Sequence, residues 1–121
     1  LCGGSTPTGC DGQWNKGLLL FVDKNRNRAK EPDEEILRFS PLEAQHSEIH
    51  WSGFTGNQAL LVEGVGIPYA SNGSFTYCSK DHKAVYRRQV IVSRSGRVRM
   101  SFDRDGDGVH EAVDGGQINC P

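Results

Sequence analysis

The stretch YRRQVIVSRSGRVRMSF runs from Tyr86 to Phe102. Two strand-like segments, Tyr86–Ser93 and Arg97–Phe102, flank a tight Arg94-Ser95-Gly96 connection. β-branched residues favour the pleated strand, and Gly96 is free to adopt the positive φ that such a turn requires. The stretch therefore predicts a β-hairpin. In its second strand Val98, Met100 and Phe102 share one face, and Arg97, Arg99 and Ser101 share the other. If the apolar residues go to the core, both arginines point to solvent. They would sit about 6.6 Å apart, close to two phosphate steps of about 3.4 Å along one DNA strand.

The rest of the chain reads in the same way. GLLLFVD (Gly17–Asp23) is a continuous apolar run, the pattern of a central strand buried on both faces. EILRF (Glu35–Phe39) is expected to pair back to it. SEIHW (Ser47–Trp51) places Ile49 and Trp51 on one face, and ALLVE (Ala59–Glu63) is a further apolar strand candidate. In NGSFTYCS, Asn72-Gly73 is a turn signal, and Phe75 and Tyr77 then share a face. No segment sustains a 3.6-residue period. The expected fold is mainly β, built of antiparallel sheets in one domain over residues 1–121.

The 121 residues suffice for one modest core. With 36% hydrophobic residues, no stretch reaches the 18 apolar residues of a membrane-spanning helix, and no signal peptide is seen. The opening LCGGS has no start Met and reads like the middle of a longer protein. Cys2, Cys10, Cys78 and Cys120 lack the C-x-x-C spacing of a zinc site, so two disulfides are expected. Three pairings are possible, the nearest-neighbour one being Cys2–Cys10 with Cys78–Cys120. Those loops would contribute about 2.5 and 4 kcal/mol in the chain-entropy account. Disulfides imply an oxidising compartment.

The net charge of −1 hides two opposed blocks. From Lys80 to Arg99 seven basic residues stand against one acid, Asp81; from Asp103 to Asp114 five acids stand against Arg104. The acidic block, DRDGDGVHEAVD, fits a D-x-D-x-D-G calcium loop. Asp103, Asp105 and Asp107 take its first, third and fifth positions, and Gly108 the turn. The Val109 carbonyl, Glu111 and Asp114 complete the set. Asp114 is one carbon shorter than the usual bidentate Glu, and no flanking helices are visible. The alternative is an Asp/Gly-rich turn leading to Cys120. DKNRNRAKEPDEE (Asp23–Glu35) echoes the pattern with Arg28 where Gly should stand, and reads as a long loop.

The order of these pieces resembles the GspH/FimT class of type IV minor pilins and type II secretion pseudopilins. The resemblance rests on the LC…C pair, Trp14, GLLLFVDKNRN, EEILR, IHWSGF, NGSFTYC and VIVSRSGRVR, and it runs almost end to end. The acidic tail and the GRVR string look most like FimT and FimU. The resemblance implies a pilin-like head whose apolar N-terminal helix precedes this chain, and a fold of that helix packed on β-sheet. It also implies a place in the pilus or at the cell surface, anchored in the inner membrane and facing the periplasm before assembly. The implied partners are other minor pilins and the major pilin. The role would be pilus initiation or tip assembly, with a GspH-type pseudopilin as alternative. In FimT-like pilins a Gly-Arg-x-Arg motif binds DNA for natural transformation, and Gly96, Arg97, Val98 and Arg99 match it.

The arginines can then be read as a phosphate-binding patch: Arg97 and Arg99, with Arg94 on the turn and Arg87 or Arg88 on the partner strand. Lys24, Arg26, Arg28 and Lys30 would extend it if their loop lies nearby. Such charges bind the backbone without reading bases. The alternative is a solvated strand face whose arginines pair with acids or blunt a sheet edge. The four histidines are scattered and no catalytic constellation can be assembled, so an enzyme is the least supported class. No cofactor is required; Ca²⁺ is the one ion the sequence offers a site for. A secreted calcium-binding β-domain remains the fallback.

Overall fold

The computed structural model describes residues 1–42, 45–56, 58–66, 68 and 71–121. Among the described residues the chain forms eight strands in two sheets. In the first sheet β1 (Cys2–Ser5) and β2 (Gly9–Cys10) form a small hairpin closed by the Cys2–Cys10 disulfide. β3 (Gly17–Phe21) pairs with β1 and with β4 (Ile36–Pro41), giving the order β2-β1-β3-β4. The second sheet is the meander β5 (Ser47–Gly53), β6 (Gly73–Ser79), β7 (Arg88–Val92) and β8 (Val98–Met100). All pairings are antiparallel. Among the described residues the helical structure is two single 3-10 turns, Phe54–Gly56 and Ala84–Tyr86.

The mainly β expectation holds, and the β7–β8 hairpin forms as read. Ser93 N–H bonds the Arg97 carbonyl at 2.9 Å, and Gly96 takes φ +84°. A side chain at Gly96 would also strike the Gly66 carbonyl, so two separate constraints require glycine there. The cysteines pair as Cys2–Cys10 and Cys78–Cys120.

Four readings change. β3 is not buried on both faces: Leu19 and Phe21 enter the core with Cys2 and Ala59, while Leu20 is 40% exposed. Ala59–Glu63 is no regular strand; it touches β1 through the Cys2–Ala59 bridge and two bonds exchanged by Leu1 and Leu60. Asn72-Gly73 is not a turn. Gly73 begins β6 opposite Gly53, so close to Trp51 and the Ser52 carbonyl that no Cβ would fit.

The fourth change concerns β8. Val98 and Met100 are 62% and 59% exposed and Phe102 is exposed too, whereas Ser101 is buried and Arg99 half-buried. The strand presents to solvent the face that its composition assigns to the core. The cause is the C-terminal segment. It returns over the other side of the sheet, tied down by Cys78–Cys120, by the Arg87 guanidinium on the Ile118 carbonyl, and by Ser101 Oγ with His110 Nδ1. Alternation and register place Thr76, Cys78, Gln89, Ile91, Arg99 and Ser101 on this tail side. Trp51, Phe75, Tyr77, Val90, Val98 and Met100 lie on the opposite, open side.

Trp14 joins the two sheets. It is buried and packs on the cross-strand pair Trp51 and Phe75, with centroids 6.1 and 5.0 Å away. It thereby covers Trp51 and Phe75 on the open side and leaves Tyr77, Val98 and Met100 exposed.

Candidate functional site

The strand pairing divides the five expected DNA-binding arginines into three groups. Arg94 and Arg97 are exposed around the hairpin turn, and half-buried Arg99 lines a shallow groove with Arg94, Ser95, Ile91 and Val113. None of these three is in an ion pair among the described residues. Arg87 is committed elsewhere: Nη1 donates to the Ile118 carbonyl at 3.0 Å and Nη2 to the His82 carbonyl at 2.7 Å. It holds the tail instead of facing a ligand. Arg88 projects from the open side at the far end of β7, where Nη1 donates to the Val85 and Arg87 carbonyls. There it shares a recess with Tyr77, Lys80 and Tyr86.

The cations of the loop between β3 and β4 each have a partner of their own. Arg26 pairs with Glu63 at 3.1 Å and Lys24 with Asp33 at 3.8 Å. Lys30 Nζ donates to the Glu31 carbonyl, and Arg28 Nη2 to Ser71 Oγ. The loop folds around its own carboxylates. Asp23 accepts the N–H groups of Asn27 and Arg28, and buried Glu34 accepts those of Lys24 and Glu31. Arg28, standing where a glycine was expected, has φ +64°, the left-handed conformation that glycine would adopt most easily.

The acidic loop is built likewise. Asp103 accepts the N–H groups of Gly106 and Gly108 at 2.7 and 2.8 Å. Asp105 accepts that of Asp107, Asp107 that of Val109, and Glu111 that of Arg104. One carboxylate oxygen each from Asp103, Asp105, Asp107 and Glu111 lie within 4.8 Å of one another. Asp114 is outside this group, with its Oδ1 bonded to the Gly116 N–H. The Gly108 N–H, with those of Gly106 and Asp107 and a contact from Asp105, holds the Asp103 carboxyl below its ordinary pKa. Asp105 is raised: the Asp107 N–H lowers it, but desolvation and the Asp107 and Glu111 charges prevail. Four converging carboxylates are a hard-oxygen set suited to Ca²⁺.

The family model described as type II transport protein GspH matches residues 1–96. The chain belongs to this family. The match ends at Gly96, so Arg97, Arg99 and the acidic loop lie beyond the matched part of this GspH-family chain. No curated protein and no solved structure matches the chain. Membership supports a pilin-like or pseudopilin-like role. Among the described residues no helix is long and apolar enough to cross a membrane.

Sequence reading missed the Tyr77–Tyr86 recess. Its residues come from β6, the following turn and β7, with His46 from just before β5, and the pairing of Tyr77 with Arg88 and of Ser47 with Ser79 assembles them. The one signal available was the basic run itself.

Proposed function

We propose that residues 1–121 form one head domain of a type IV minor pilin, a structural subunit in pilus initiation or tip assembly. The observation that carries this reading is the open side of β7 and β8 in a chain of this family. Val98 and Met100 sit uncovered beside half-buried Val90, on a sheet whose other side is already occupied by the tail. An apolar helix of pilin type is the occupant such a surface fits. The partners are then other minor pilins and the major pilin, with the head facing the periplasm before assembly. In a piliated cell, the full protein carrying Val98→Lys and Met100→Lys should stay disulfide-bonded and folded but fail to support assembly. Normal piliation by that variant overturns the reading. If the variant disrupts type II secretion and not piliation, the GspH-type pseudopilin replaces it.

The Gly96-Arg97-Val98-Arg99 string and the three unpaired arginines support DNA binding by the same head. The ligand would be the phosphate backbone of duplex DNA, with Arg94, Arg97 and Arg99 as its contacts and Arg87 excluded by its role in the tail. Three neutralised phosphates give a log–log salt slope of about −2.7. Gel shifts with native head and the Arg97→Gln/Arg99→Gln variant test this; absence of native binding at low salt removes the DNA role.

Ca²⁺ binding by Asp103, Asp105, Asp107 and Glu111, with Val109 and Asp114 at its margin, is a second, separate proposal. Calorimetric titration of the head with Ca²⁺ decides it, and no heat at millimolar Ca²⁺ rejects it.

A further inference from the structure

We infer that the recess beside the Ala84–Tyr86 turn is a second nucleic-acid site, one that takes single-stranded DNA by stacking bases on tyrosine rings. The inference rests on the DNA-binding reading above and goes beyond it, since the hairpin arginines offer contacts only to phosphates.

Two phenol rings are held half out of the protein within one recess, Tyr77 at 39% exposure and Tyr86 at 53%. Lys80 and Arg88 stand beside them, with His46 on the same wall. Among the described residues that line the recess one carboxylate occurs, Asp81, and it is already engaged. It accepts Ser79 Oγ at 2.5 Å and the Lys83 N–H at 3.3 Å, and lies 3.6 Å from Lys83 Nζ. The Ser79 hydroxyl, followed by the Lys83 N–H, holds its pKa below the ordinary value, so Asp81 stays ionised and engaged. Neither Lys80 nor Arg88 is in an ion pair among the described residues. Arg88 is also oriented: two carbonyls fix Nη1, and no described residue takes the remaining donors of the fork.

A ligand that matches this surface has a flat ring and a negative charge on a short tether. Nucleotides of a single strand have both. Those of a duplex do not offer the ring, because each base face is stacked on its neighbours. The recess lies at the opposite end of β6 and β7 from the hairpin. Tyr77 pairs with Arg88, and Gly73, four residues away, with Val92. That spacing corresponds to about 14 Å of strand, so the two sites can be tested independently.

Fluorescence anisotropy at low salt, with labelled oligo-dT and a duplex of equal length, separates the possibilities. Tyr86→Ala should weaken oligo-dT binding about five-fold or more and leave duplex binding within two-fold. Tyr86→Phe keeps the ring face and should bind like the native protein, which sets aside a folding defect. Lys80→Gln should weaken oligo-dT and reduce its salt slope by about 0.7. The Arg97→Gln/Arg99→Gln variant should lose the duplex more than the single strand. If Tyr86→Ala and Lys80→Gln both bind oligo-dT like the native head while the duplex still depends on Arg97 and Arg99, this inference fails and the hairpin site stands. If the native head binds neither DNA, both fail together.

Discussion

The two sides of the second sheet are made in opposite ways. The tail side carries Thr76, Gln89, Arg99 and Ser101, yet it is the side the protein covers, with Cys78 fully buried beneath the returning tail. The open side carries Trp51, Phe75, Val90, Val92, Val98 and Met100; Trp14 packs on Trp51 and Phe75 and Val92 is buried, yet Val98 and Met100 on its edge strand are left exposed. Hydrophobicity therefore does not by itself say which side of a strand is closed within the head. On the tail side most of the polar groups are paired: the Gln89 N–H reaches Ser101 Oγ at 2.9 Å, and Gln89 Nε2 reaches Thr76 Oγ1 at 3.2 Å, while Gln89 Oε1 has no hydrogen-bond partner among the described residues. The open side keeps an apolar surface, the property a docking face requires.

The sharpest way to break this contrast is to unseal the part of the open side that is closed. Trp14→Ala removes the ring that holds the two sheets together through Trp51 and Phe75, and should cost about 3–5 kcal/mol in urea unfolding. A loss below about 1 kcal/mol would show that the sheets do not depend on this contact. Next comes the latch on the other side. Replacing Cys78 and Cys120 together by Ala should cost about 2–4 kcal/mol. Amide exchange should accelerate first in the tail and only then in β6 and β7. Uniform acceleration would mean that the tail is not a separately released cover.

Substitutions at the exposed end of the open side should be almost silent in the isolated head. Val98→Thr with Met100→Ser should stay within about 0.5 kcal/mol of native stability, although charges at the same positions are expected to abolish assembly. A large loss would mean that these side chains are packed in solution, and the contrast between the two sides would fall. The smallest effect lies in the acidic loop. The stabilising contribution of Asp103, whose pKa is lowered, is present above its unfolded pKa and lost as pH falls through its folded one. Asp105 is raised and acts in the reverse sense: its contribution is present at low pH and lost as pH rises through its folded pKa. Carboxyl NMR titration should thus find Asp103 and Asp105 on opposite sides of the ordinary value, and Ca²⁺, if it binds, should lower both. Coincident titrations would contradict the loop geometry.

Much of the fold was legible because its signals are local. The Tyr86–Phe102 hairpin announces itself through Gly96, and the pairing of β3 with β4 follows from two short apolar runs; the pairing of β5 with β6 was not legible, because the apolar Ala59–Glu63 run between them reads as a strand and Asn72-Gly73 as a turn. The hairpin β1–β2 was not legible, since CGGSTPTGC has almost no side chains to show a period and is shaped by its disulfide. Of the candidate sites, the acidic loop was the most legible, because D-x-D-x-D-G encodes its own turn. The arginine patch was the least: five residues close in sequence were dispersed by strand alternation and by the tail's need for Arg87.

The sequence by itself determined a β-class head with two disulfides, a glycine-dependent hairpin and a self-folding acidic loop. Each depends on contacts a few residues apart or on a small set of cysteine pairings. Only the tertiary structure decided which side of β8 is covered and which arginines remain available. Alternation divides a strand into two faces without saying which will be buried. That choice is made by a segment arriving from far along the chain, here the tail fixed to Cys78 across 42 residues.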